Sequence, residues 1–316
     1  MTAPSVRPKG TLAYLVTGMG GQLSTDLVDV CRPLGDVPFC HGLTAGELDV
    51  TDPVAVKDTV AAWARTVRAD SPEHRLVVVN GAAYTAVDRA EADEEAAYAV
   101  NATAPALLAQ ACAVNGASLV HVSTDYVFPG DRVGGPPYDV QDPTGPTNAY
   151  GRTKLAGELA VRELLPGASW VVRTAWVYGA TGGNLVKTAA RLERERDTVG
   201  FVADQVGSPT WSRDLARALF ALTREQAPPG TYHCTGQGET TWHGFVQAVF
   251  EELGADPARV LPITTADYPT PASRPAYSVL SPRAWEQAGL PQMPPWREAL
   301  AEAFRVSGDA FRSVPA

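Results

Sequence analysis

Apolar and polar positions follow two interleaved rhythms through the first half of the chain. Short, nearly continuous apolar runs occur at residues 12–17, 76–79, 119–123 and 170–173, and the second of them is pure Leu and Val. Runs of this kind fit strands buried on both faces of a parallel sheet. Between them the apolar residues change to helical spacing. Leu27, Val28 and Cys31 follow the first run, a second such segment covers 53–67, and an Ala-rich one covers 91–114. Asp52-Pro53 supplies a polar cap and a first-turn proline. Asn115-Gly116 closes the Ala-rich helix, and Pro105 opens a fresh turn inside it. A less apolar strand is predicted at 37–41. Strand and helix thus alternate, which predicts an α/β fold with a doubly wound parallel sheet.

From about residue 182 the pattern breaks into shorter elements separated by Gly and Pro. Helices are predicted at 185–196, 212–224, 242–253 and 296–304. The chain therefore divides into an N-terminal arm at 1–10, a nucleotide-binding domain at 11–181 and a smaller C-terminal α/β substrate-binding domain at 182–316. One strand and one helix of the last are expected to return to the sheet. Residues 128–148, rich in Gly, Pro and Asp, are expected to form a surface loop beside the ligand crevice, serving as a lid or as an inert connection.

Candidate chemistry gathers where the predicted strands end. The first strand runs into Gly18-Met19-Gly20-Gly21-Gln22-Leu23-Ser24, a glycine turn opening a helix, where unpaired N–H groups suit a pyrophosphate. Ser24 stands where a third glycine is usual. The second strand ends Phe39-Cys40-His41-Gly42 without a carboxylate, which points to NADPH, with His41 either near its 2′-phosphate or simply a surface residue, and to NADH as the second option. The third ends Asn80-Gly81-Ala82-Ala83-Tyr84, small residues that let a flat ligand lie against the backbone. The fourth ends at Thr124. Beyond it Tyr150 and Lys154 lie one helical turn apart on one face, a phenol beside an ammonium. A cation within about 4–6 Å favours the ionised phenol, which would make Tyr150 a proton donor near neutral pH.

Composition narrows the classes. The 316 residues are 45% hydrophobic and 19% charged, as in ordinary globular proteins, and a net charge of -9 argues against general affinity for nucleic acid or anionic membranes. The four cysteines, Cys31, Cys40, Cys112 and Cys234, show no disulfide or zinc spacing and read as buried thiols in a reducing compartment. Residues 1–9 lack an apolar signal core, and no uninterrupted apolar run reaches membrane-spanning length. The expected location is cytoplasmic, without membrane attachment.

Several longer motifs carry a resemblance: Leu48-Asp49-Val50-Thr51-Asp52, the stretch from Asn80 to Asp88, Ser123-Thr124-Asp125-Tyr126-Val127-Phe128, the stretch from Tyr150 to Glu158, Arg173-Thr174-Ala175-Trp176-Val177-Tyr178-Gly179, and the later segments at 204–210 and 268–275. Together they resemble the dTDP-4-dehydrorhamnose reductase family of extended short-chain dehydrogenase/reductases, from residue 12 to 296. The resemblance implies a Rossmann-type fold, NADPH or NADH, and reduction of the C4 ketone of a dTDP-4-keto-6-deoxy sugar. By motif, Thr124, Tyr150 and Lys154 match the catalytic triad. Gly18, Gly21, Gln22 and Leu23 match the pyrophosphate turn, Asp49 and Val50 the adenine side, and Ala82, Ala83 and Tyr84 the cofactor wall. Thr124, Asp125, Tyr126 and Trp176 match sugar-nucleotide contacts, and Asn184 and Arg274 are added as candidates.

Two departures from the family pattern stand out. Arg213 replaces a glutamate that in some members holds an intersubunit magnesium ion, and although Asp26 offers a carboxylate no metal is expected; monomer and homodimer both stay open. Arg274-Pro275-Ala276-Tyr277-Ser278 departs from the commoner Arg-Pro-x-Asn-Ser. The alternatives are a sister ketoreductase on another dTDP-4-keto-6-deoxyhexose and a non-catalytic regulatory subunit, as in a subunit of methionine adenosyltransferase. A dehydratase on the same fold is disfavoured, because Tyr126 stands where dehydratases carry Glu.

Overall fold

The computed structural model describes residues 11–32 and 39–312. The arm expected at 1–10 and the start of the strand expected at 37–41 lie outside the described residues. One parallel sheet contains β1 (Leu12–Thr17), β2 (Phe39–Leu43), β3 (Arg75–Asn80), β4 (Ser118–Thr124), β5 (Ser169–Thr174) and β6 (Gly230–His233), in the order β6-β5-β4-β3-β1-β2. The order reverses direction between β1 and β3, so the helices that follow those two strands pack on opposite faces of the sheet and a crevice opens at its carboxyl edge.

The helices are α1 (Gln22–Cys31), α2 (Pro53–Asp70), α3 (Ala104–Asn115), α4 (Ala149–Leu164), α5 (Leu185–Glu195), α6 (Ser212–Arg224), α7 (Trp242–Leu253) and α8 (Trp296–Arg312). Strand alternation distributes them over the two faces of the sheet. Tyr14 and Val16 pack with Leu27 of α1 and Leu219 of α6, whereas Ala13 and Leu15 pack with Val60 of α2, Leu108 of α3 and Val161 of α4. Each fully buried Val or Leu in these layers contributes about 1.5–3 kcal/mol relative to exposure. From the C-terminal half, β6 joins the sheet, and α6 and the short helix Arg283–Gln287 pack on one of its faces. A separate core holds that half together, with Phe245 and Val249 of α7 against Leu300 and Phe304 of α8.

Three elements differ from the expectation. The Ala-rich segment is a short helix, Glu94–Tyr98, then a π-helical turn, Ala99–Thr103, then α3 with Pro105 in its first turn. The widened turn sets Asn101 to accept from Tyr84 N at 2.9 Å and to donate to Tyr84 O at 3.1 Å, pinning the loop after β3. The 128–148 segment is tied down: Tyr138 is buried, stacks on Phe128 at 4.4 Å, and donates its N–H to Val279 O at 2.9 Å. The last helix runs on to Arg312 through a non-helical residue at Ser307, because Phe311 finds a place in the C-terminal core.

Candidate active site

The glycine turn is shaped by close approach. Gly18 has φ of +76°, and a Cβ there would lie 2.7 Å from the backbone of Gly81 and Ala82, so the loops after β1 and β3 touch only because no side chain intervenes. Ser24, in the third-glycine position, is buried and donates to Thr17 O at 2.9 Å. Gly21 caps α1 without any side-chain hydrogen bond, leaving the first-turn N–H groups directed at the crevice for an anion.

The crevice has a volume of about 1000 Å³ and draws on both loops, the end of β4, the start of α4 and the segment after β5. Asn148 caps α4 by accepting from Gly151 N at 2.8 Å, and a Cβ on Gly151 would meet Tyr126 O at 2.2 Å. This close seat brings Tyr150 edge-on to Tyr126, with ring centroids 5.6 Å apart, and beside Thr124. Tyr150, Lys154 and Thr124 all line the one crevice.

The electrostatics invert one expectation. Burial pushes the Tyr150 phenol up to about 12, only partly offset by the Thr124 hydroxyl. The ammonium of Lys154 is turned instead to the strand, donating to Val122 O at 2.6 Å. Burial draws Lys154 down to about 8, with Glu158 opposing the fall. Tyr150 is thus held fully protonated at neutral pH, a loaded proton donor rather than a phenol half ionised by a neighbouring cation.

Thr124 donates to Asp125 Oδ1 at 2.9 Å and accepts from Tyr126 N at 3.2 Å. Asp125 is buried, and burial raises its carboxyl to about 6, with Ser278 and Thr124 opposing the rise. Behind this end of β4, Glu158 binds Arg173 at 2.7 Å and accepts from Ser123 at 2.5 Å, all out of solvent. Asn80 joins the neighbouring strands, accepting from Thr17 at 2.8 Å and donating to His121 Nδ1 at 3.2 Å. Burial and the nearby Lys154 hold His121 neutral.

Residues 13–307 match the model of the RmlD substrate binding domain family. The chain belongs to that family. Among its RmlD relatives, a dTDP-4-dehydrorhamnose reductase of Streptomyces griseus is 47% identical over 99% of both chains. A probable dTDP-4,6-dihydroxy-2-methyloxan-3-one 4-ketoreductase of Streptomyces antibioticus is 46% identical over 93% of this chain and 95% of its own. The solved dTDP-4-dehydrorhamnose reductase of Bacillus anthracis in complex with NADP is 34% identical with a TM-score of 0.85, over 94% of this chain and 99% of that one.

Not every expected residue of this RmlD chain reaches the crevice. Gly18, Gly21, Gln22, Leu23, Asp49, Val50, Ala82, Ala83, Thr124, Asp125, Tyr126, Tyr150, Lys154 and Trp176 line it; His41, Tyr84, Asn184 and Arg274 do not. His41 sits exposed on β2. Tyr84 is turned to Asp93, its hydroxyl donating at 3.2 Å. Asn184 caps α5 and donates to Gln22 Oε1 at 3.0 Å, bracing the glycine turn from outside. Arg274 is ion-paired with Asp88 at 2.7 Å and donates to Ala272 O. Conversely, Thr85, Val87, Val100 and Trp242 line the crevice without having been singled out. The π-helical turn carries Val100 there, and the helix cap at Thr241 carries Trp242.

Proposed function

We propose that the chain reduces the C4 ketone of dTDP-4-dehydro-β-L-rhamnose to dTDP-L-rhamnose at the expense of NADPH, with NADH as a weaker alternative. Membership of the RmlD family supports the activity. The observation that carries the residue roles is the convergence of Thr124, Tyr150 and Lys154 on one crevice with the glycine turn. In this reading residues 11–181 hold the dinucleotide and residues 182–316 close over the sugar.

The chain's own groups fit the cofactor. The uncapped start of α1 offers its N–H groups to the pyrophosphate, and the small residues Gly81, Ala82 and Ala83, which line the crevice, let a flat ring lie close to the backbone. When bound, the reduced nicotinamide supplies the hydride that goes to the sugar C4. Tyr150 gives its phenolic proton to the oxygen left negative at C4, completing the alcohol, and the high pKa of the phenol keeps that proton in place until a stronger base forms. Lys154 orients the nicotinamide ribose and, with a pKa near 8, exchanges protons close to neutrality. Thr124, turning its hydroxyl from Asp125 Oδ1, donates to the carbonyl oxygen and positions it. Arg274, once released from Asp88, clamps the diphosphate through its planar guanidinium.

The test is to supply enzymatically made dTDP-4-keto-6-deoxyglucose with and without a 3,5-epimerase, follow NADPH oxidation, and identify the product by NMR. Oxidation that depends on the epimerase and yields dTDP-L-rhamnose supports the reading. Equal oxidation without it makes the chain a sister ketoreductase. No oxidation with any such sugar rejects both.

A further inference from the structure

Two indoles from distant parts of the chain meet at the sugar end of the crevice. Trp176 and Trp242 both line it, stacked with ring centroids 3.4 Å apart and planes 7° from parallel. Trp176 has φ of +48°, a left-handed conformation that a bulky side chain rarely adopts and that surrounding contacts must hold. Those contacts are specific. Its carbonyl accepts from Thr210 N at 3.2 Å. Its indole lies so close to Gly207 that a Cβ there would sit 2.4 Å from the ring. Gly207 in turn pairs with Thr240 in a short antiparallel ladder, and Thr241, the next residue of that ladder, caps the helix whose first residue is Trp242. The segment that seats Trp176 is therefore fastened to the one that delivers Trp242.

At this spacing no ligand ring fits between the indoles, so the pair acts as one wall, double thickness, of the crevice that Thr124 and Tyr126 also line. A hexose has apolar C–H faces that rest well on an indole. We propose that Trp242 is a positioning residue of the sugar site: by stacking on Trp176 it fixes that indole as the surface against which the sugar ring lies. This rests on the keto-sugar reductase reading and names the residue that sets sugar placement.

The experiment compares wild type, Trp242→Phe and Trp242→Ala as NADPH-loaded full-length enzyme. Steady-state kinetics on the dTDP-4-keto sugar are measured together with far-ultraviolet circular dichroism, in which a stacked indole pair gives an exciton couplet. The couplet is expected in wild type and absent from both variants. Trp242→Ala is expected to raise KM for the sugar nucleotide by about tenfold, with the Phe ring recovering most of that loss. NADPH affinity, and kcat at saturating sugar, stay at the wild-type value. An unchanged KM in Trp242→Ala despite loss of the couplet overturns the proposal, as does an equal rise in KM for NADPH, which would signal general damage to the crevice. Should Trp242→Ala fail to fold, Trp242→Phe decides through its lost couplet and a smaller KM rise. A wild type that binds NADPH yet reduces no dTDP-4-keto sugar sinks the reductase reading itself, an outcome separate from active wild type with an indifferent Trp242.

Discussion

The floor of the crevice and its sugar-side rim are built on opposite plans. On the floor each chemical group is placed by a few neighbouring residues: Asn148 and Gly151 seat Tyr150, the helical turn adds Lys154, and Thr124 is the last residue of its strand. On the rim each group is placed by a partner far away in sequence. Trp176 depends on Gly207 and Trp242, and Arg274 on Asp88. On the floor Thr124, Asp125 and Lys154 are buried and Tyr150 is half-buried, and burial is the largest cause of the shifts of Asp125, Tyr150 and Lys154, whereas the Arg274–Asp88 pair stays partly exposed. The floor should respond to mutation in the chemical step and in stability, and the rim in sugar affinity.

The largest effect is expected at Tyr150. Tyr150→Phe should lower kcat by about 10²–10⁴ while NADPH affinity is retained, because only a proton donor is removed. A Phe variant that turns over normally would break the assignment of the floor. Next is Glu158→Gln. It strips the counter-charge from Arg173, whose guanidinium is 3% exposed, and weakens the bond that Ser123 makes. Leaving a buried cation unpaired costs about 3–5 kcal/mol, read by urea unfolding as a shift in midpoint at constant slope. An unfolding curve that overlays wild type would mean that water reaches this layer after all.

How much of this was legible follows the same division. The sheet, the glycine turn, the Asp52 cap and the Tyr150–Lys154 pair were readable because each is written in residues a few positions apart. Ser24 was readable as a small residue in the third-glycine place, but the bond its hydroxyl makes to Thr17 O was not. Trp242 was not, because an aromatic at a helix start reads as ordinary core until the Val206–Gly207 ladder brings it to Trp176. Arg274 could be suspected as a phosphate ligand, but no spacing announces that Asp88 holds it. The direction of the Tyr150 shift was misjudged for a related reason: i,i+4 geometry puts an ammonium on the same face, and only tertiary structure shows it bonded to Val122 and the phenol enclosed. The anchoring of Tyr138 into a segment expected to lie on the surface is a fourth case, depending on a backbone pairing with Val279.

A smaller effect, confined to acid pH, separates burial from pairing on the floor. The Asp125 carboxyl is raised from 3.8 to about 6, chiefly by burial, with Thr124 hydrogen-bonded to it and Tyr126 and Tyr150 as its ionisable neighbours. The folded chain therefore binds this proton more tightly than the unfolded chain does. Its contribution to stability is fully present below 3.8 and is lost as pH rises through about 6, a span on the order of 3 kcal/mol. Asp125→Asn should flatten that part of the stability–pH profile, measured by urea unfolding at several pH values against wild type. A profile that keeps the same decline in the Asn variant assigns it to another group.

The smallest stability change, and the sharpest probe of the rim, comes from Asp88. Its carboxylate is 42% exposed and its pair with Arg274 spans 2.7 Å, so Asp88→Asn should move unfolding by about 1 kcal/mol or less. If Arg274 serves the diphosphate, freeing it removes a competitor for the guanidinium, and KM for the sugar nucleotide should fall severalfold. Arg274→Met should raise the same KM, with kcat and NADPH affinity unchanged in both variants. Opposite signs in the two variants are the signature of a residue held in reserve. Equal increases would instead make the ion pair a latch that fastens the 268–275 segment over the loop following β3, and Arg274 would then act on the sugar only by keeping that loop in place.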